Sequence, residues 1–82
     1  MANPLPPGIP PEFWANYRKR HEAELAEARE NLAPLEDGRV HLAERQAGTE
    51  WRDTTQEWIA FWRQVISRQE AILAALERGE LL

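Results

Sequence analysis

The sequence predicts an α+β fold: two amphipathic helices joined by a short β-hairpin, preceded by an extended proline-rich N-terminal arm. Three observations predict it. Apolar residues recur at steps of three and four over about residues 12–33 and again over about residues 54–78. Between these runs, over about residues 39–53, the pattern changes to alternation around a glycine-bearing turn. Ahead of the first run, five of the first eleven residues are proline, a density that excludes both helix and central strand.

The arm, residues 1–11, contains Pro4, Pro6, Pro7, Pro10 and Pro11. Such a stretch is extended, in part polyproline II. Leu5 and Ile9 are its large apolar side chains. The stretch is expected to be either a disordered leader or an arm that lies on a neighbouring subunit and anchors Leu5 and Ile9 there. A pre-stiffened arm loses less entropy on docking. Residues 12–82 then form a single helix–hairpin–helix domain.

Pro11 suits the first position of a helix, where its missing N–H is not needed. Trp14, Tyr17, His21, Leu25, Ala28, Leu32 and Leu35 follow as one apolar stripe. His21 lies on that stripe and is expected to be a partly buried packing residue. Pro34 disfavours helical geometry at Ala33, so the helix is expected to end or kink there. Gly38 can take the positive φ that follows a last turn.

Val40 and Leu42 are two apart and are expected to share one face of a strand. Gln46 to Thr49 make the turn, with Gly48 in its left-handed position. An isolated hairpin is barely stable in water, so this one must rest on the helices or on other chains. His41 is expected to face solvent.

Thr54 and Glu57 match a capping box at the start of the second helix. Ile59, Trp62, Ile66, Leu73 and Leu76 form one stripe, with Gln69 interrupting it. Trp58, Val65 and Ile72 form a second stripe beside the first, widened by Phe61. One partner helix needs only one stripe. The surplus covers the hairpin or meets another subunit.

Eighty-two residues make one domain at most, and a chain this small has a marginal core of its own. With no cysteines, disulfides and thiolate metal sites are excluded, which leaves association as the route to stability. The four tryptophans either enlarge a thin core or lie in a subunit interface, where Trp is over-represented. A net charge of −4 with both signs scattered does not suit a protein that holds nucleic acid by neutralising phosphates. No apolar run approaches the roughly 20 residues that span a bilayer. The N-terminus lacks the pattern of a secretory leader, so the chain is expected to be intracellular where it is made.

Catalytic chemistry finds little support. Neither histidine belongs to a metal-binding helix motif, and Ser67 sits mid-helix without a nucleophile elbow. The four glycines are dispersed, so no phosphate-cradling loop exists. The chain is read as non-enzymatic and without a cofactor. Arg18, Lys19 and Arg20 are the one basic run, able to touch a phosphate backbone or an acidic partner.

From Leu25 to Leu76 the order of elements is familiar. An Ala/Leu-rich helix end reads Leu25-Ala26-Glu27-Ala28-Arg29 and Asn31-Leu32-Ala33-Pro34-Leu35, followed by Gly38-Arg39-Val40. Trp51, Asp53 and Thr54 lead from the second strand into a helix continued by Ile59, Val65, Ile66, Glu70 and Leu73. This pattern resembles the phage head–tail joining (head completion) protein W family. The resemblance implies a structural virion protein of the neck region, made in the host bacterial cytoplasm. It implies a homo-oligomeric ring beneath the portal protein, serving as a platform for the next neck or tail protein. DNA would pass through the channel without sequence-specific binding, and no membrane is involved. Candidate interaction residues are Leu5, Ile9, Trp58, Phe61, Val65, Ile72, Arg18, Lys19 and Arg20. Two alternatives stand beside it. One is a small helical-hairpin module that regulates or inhibits a host complex. The other is a small nucleic-acid binder using Arg18, Lys19 and Arg20.

Overall fold

The computed structural model describes residues 10–79, so Leu5 and Ile9 lie outside the described residues. The chain runs α1 (Pro11–Glu36), β1 (Ala43–Glu44), β2 (Arg52–Asp53) and α2 (Thr55–Glu77). Two helices with a small antiparallel sheet between them make the expected α+β layout.

Pro10 has φ −62° and ψ 144°, the polyproline II region, and its carbonyl accepts the Phe13 N–H at 3.0 Å. Pro11 then opens α1 without a donor to satisfy. The expected stop at Ala33 is not observed, and α1 continues through Pro34 to Glu36. A proline in the last turn removes one intrahelical donor. Burial of Leu35 in the core compensates, and the Pro34 carbonyl accepts the Val40 N–H at 3.0 Å. Gly38, at φ 83°, then turns the chain out of the helix.

The helices are antiparallel. Arg18 meets Glu77, Arg29 meets Glu70 and Glu36 meets Arg63, so numbers fall along α2 as they rise along α1. In α1 the buried residues His21, Leu25, Ala28, Leu32 and Leu35 alternate steps of four and three. In α2, Thr55, Ile59, Trp62, Ile66, Gln69, Leu73 and Leu76 do the same, and each is buried or half-buried. That seven-residue repeat is the signature of a two-helix coiled-coil seam. Gln69 therefore does not interrupt the stripe. It is buried in the seam, where its side chain meets His21. The core is densest at the hairpin end. Leu32, Leu35 and Ile59 are buried there beneath Leu42, Trp58, Trp62 and Ile66.

The sheet is shorter than the alternation implies. Its ladder pairs Ala43 with Asp53 and Glu44 with Arg52. Val40 and Leu42 precede β1 rather than sharing a strand face. Their backbone is claimed by helices instead: Val40 by Pro34, and Leu42 by Thr55, whose Oγ1 accepts the Leu42 N–H at 3.0 Å. The Leu42 carbonyl accepts the Thr54 N–H at 2.8 Å, which fastens the foot of the hairpin to the start of α2. The turn forms as expected. Gly48 has φ 81° and the Thr49 N–H donates to the Gln46 carbonyl at 3.0 Å.

The capping box does not form. Thr54 is 1% exposed and its Oγ1 has no partner, while Glu57 pairs with Arg52. Thr54 stays at the N-cap position without a side-chain bond, and Asp53, one residue earlier, accepts the first helical N–H of α2, that of Thr55, on its Oδ1 at 2.9 Å. The Thr55 hydroxyl and N–H together hold the Asp53 carboxyl below its ordinary value.

Candidate interaction surface

The two edges of the helix seam differ in chemistry. One edge is laced by ion pairs. Arg29 donates to Glu70 at 3.0 Å, and Arg63 donates twice to Glu36. The other edge carries Trp58, Val65 and Ile72, spaced seven apart and all half-buried. Phe61 lies next to them and is 46% exposed. On a helix these four positions fall on one face, extending about 21 Å from Trp58 to Ile72 at 1.5 Å per residue. They thus share one apolar face beside the seam, interrupted between Val65 and Ile72 by the turn that carries Arg68 and Gln69.

Aromatic rings gather where this strip reaches the hairpin. Phe61 packs edge-on against Trp58 and Trp62, with centroids 5.3 Å and 5.0 Å apart. The Trp58 indole N–H donates to Glu44 at 3.3 Å, which orients the ring against the hairpin. Trp51 is 66% exposed, with the Arg45 guanidinium 5.1 Å above its ring. Beside this cluster, the end of α1, the loop at Val40 and the start of α2 enclose an open groove of about 400 Å³. Its walls include Pro34, Leu35, Val40, Leu42, Trp58 and Trp62. Half-buried indoles lining an apolar groove, here Trp58 and Trp62, are the kind of side chain that anchors protein interfaces.

The opposite end of the hairpin of helices carries a second aromatic ladder. Phe13, Trp14, Tyr17 and His21 contact one another in sequence along α1, the last pair with centroids 4.5 Å apart. The basic run lies here, but it does not form one basic surface. Arg18 reaches Glu77 at 3.7 Å, Arg20 lies over the Tyr17 ring at 5.4 Å, and Lys19 is exposed. Adjacent helical positions fan apart by about 100° each, so neighbours in sequence serve different faces.

Trp58, Phe61, Val65 and Ile72 are therefore brought together, while Arg18, Lys19 and Arg20 are not. The groove itself was not legible as a site. Pro34 reads as a helix stop and Val40 as a strand residue, and only the bond between them places both beside Trp58. Among the described residues no three His, Asp or Glu side chains gather as a metal would require. No helix among the described residues is long and apolar enough to cross a membrane. Comparison with protein-family models, curated proteins and solved structures returns no match.

Proposed function

We propose that the chain is a structural subunit of a phage neck, a head–tail connector that assembles as a ring beneath the portal and presents a platform to the next neck or tail protein. The observation that supports this best is the apolar face of Trp58, Phe61, Val65 and Ile72, which the two-helix seam covers only in part. A ring subunit makes head-to-tail contacts, so it needs two unlike adhesive surfaces. The strip on α2, which joins the groove at Trp58, offers one and the proline-rich arm with Leu5 and Ile9 offers the other. The order helix, hairpin, helix is that of the protein W family it resembles. The mild acidic balance suits a DNA conduit, since a strongly basic wall would retain the duplex.

Native mass measurement of the full chain, alone and with a phage portal protein, tests the proposal. A closed higher oligomer that adds to the portal is expected. A chain that stays monomeric and ignores the portal would sink it.

A second function is favoured by the brevity of the sheet, only two residues per strand. The molecule is in substance a helical hairpin with one apolar edge, a shape that fits a groove on a larger host complex. This regulator would be captured one-to-one from host lysate and would be missing from purified particles.

A further inference from the structure

The groove at the hairpin end has a chemistry that selects its occupant. Two indoles, Trp58 and Trp62, stand with Pro34, Val40 and Leu42 around an open trough, and Asn31 lies at its margin. We propose that this groove receives the proline-rich segment Pro4–Pro10 of a second copy of the chain. The proposal deepens the assembly function above and rests on its self-association, not on the portal.

Aromatic-lined grooves take polyproline II segments because the segment is already stiff and its rings lie flat on indoles. The segment holds the P-x-x-P spacing twice, at Pro4–Pro7 and at Pro7–Pro10. Pro10, its described end, already has polyproline II dihedrals. Hydrogen bonding is complementary too. A proline-rich strand offers carbonyl acceptors and few donors. Trp62 Nε1 and the Asn31 amide are donors without a partner among the described residues.

Reach decides which copy supplies the segment. The arm leaves from the start of α1, whereas the groove lies at the other end of that helix. Twenty residues of helix separate Pro11 from Asn31, about 30 Å at 1.5 Å per residue. As polyproline II, the seven steps from Pro11 to Pro4 would span about 22 Å at 3.1 Å per residue. Pro7 reaches only about 12 Å by the same measure. The P-x-x-P residues of a chain cannot enter that chain's own groove. Arm at one end and groove at the other is a head-to-tail arrangement, which propagates around a ring or along a filament.

The chain has no cysteine, so engineered thiols can read the contact directly. Leu5→Cys and Val40→Cys are placed in separate full-length chains, mixed and oxidised. Val40 is 40% exposed, so the substitution leaves the fold in place, as circular dichroism checks. The mixed disulfide is expected to form several-fold faster than either homodimer. Trp58→Ala in the receiving chain, or Pro4→Ala with Pro7→Ala in the donating chain, is expected to lower that yield several-fold. A mixed disulfide no faster than the homodimers overturns the arm contact. If sedimentation then still shows an oligomer, assembly stands through another surface. If it shows a monomer, the assembly function falls as well. An intrachain disulfide in the double variant at high dilution would place the arm in its own groove and also overturn the proposal.

Discussion

His21 Nδ1 lies 2.5 Å from Gln69 Oε1, in the middle of the seam between α1 and α2. The Gln69 amide is oriented by its other end, since Nε2 donates to the Glu24 carboxylate at 2.9 Å. Its oxygen must then accept, and His21 Nδ1 must carry the hydrogen. The bond joins residues 48 apart in sequence and occupies facing positions of the two seven-residue repeats. A single polar layer of this kind specifies register at a cost in stability. Sliding one helix by a turn would bury both groups against apolar neighbours.

Gln69→Leu is expected to destabilise the protein by about 1–3 kcal/mol, because the buried His21 Nδ1 loses its hydrogen-bond acceptor and is left with only the Glu24 carboxylate, 3.7 Å away. His21→Leu combined with Gln69→Leu is expected to recover most of that loss, since two apolar residues then face each other. Urea unfolding of the two variants beside the parent checks this. A double variant as weak as the single one would refute a pairwise role for the bond.

The two threonines at the start of α2 are expected to respond in opposite ways. Thr54 is buried with an unpartnered hydroxyl, so Thr54→Val is neutral or stabilising. Thr55 holds the Leu42 backbone through the same hydroxyl type, so Thr55→Val costs about 1–3 kcal/mol. Thermal melts of both variants distinguish this arrangement from a capping box, in which Thr54 would be the sensitive site.

Periodicity made the helices, the turn at Gly48 and the apolar strip of Trp58, Val65 and Ile72 legible in advance, because each is a local pattern. What was not legible depends on partners distant in sequence. Gln69 reads as a break until His21 is placed opposite it. Thr54 and Glu57 have the right spacing for a box, but Arg52 takes the glutamate and Asp53 takes the Thr55 N–H. Pro34 obeys its local preference only where nothing opposes it, and here Leu35 is fastened in the core. The basic run Arg18–Arg20 fails as a surface for the same reason: Glu77 and Tyr17 draw two of its members apart.

Acid is expected to loosen both ends of the hairpin region. The Arg39 backbone N–H, with its guanidinium beside it, holds the Asp37 carboxyl below the ordinary 3.8, as Thr55 does for Asp53. A carboxyl lowered in the folded state contributes stability that is complete above its unfolded value. That contribution is lost as pH falls through the folded one. Melting temperature should therefore be flat above about pH 5 and fall below about pH 4. Asp37→Ala with Asp53→Ala should lower it at neutral pH and flatten the acid slope. An unchanged slope in that variant would mean that other carboxylates drive the loss.

The two edges of the seam are expected to separate stability from assembly. Arg29, Glu70, Arg63 and Glu36 are exposed, and each exposed pair is worth less than about 1 kcal/mol and is screened by salt. Glu36→Gln or Glu70→Gln should shift the melt only slightly, and less so at high salt. On the opposite edge, Val65→Asp with Ile72→Asp places charge where an apolar partner surface would have to desolvate it. Helical content should survive, because these side chains flank the seam rather than fill it. The oligomer should not survive, and sedimentation at matched concentrations reads that directly. A variant that assembles like the parent would show that subunits meet through another face, and one that loses its helices would place Val65 and Ile72 in the core.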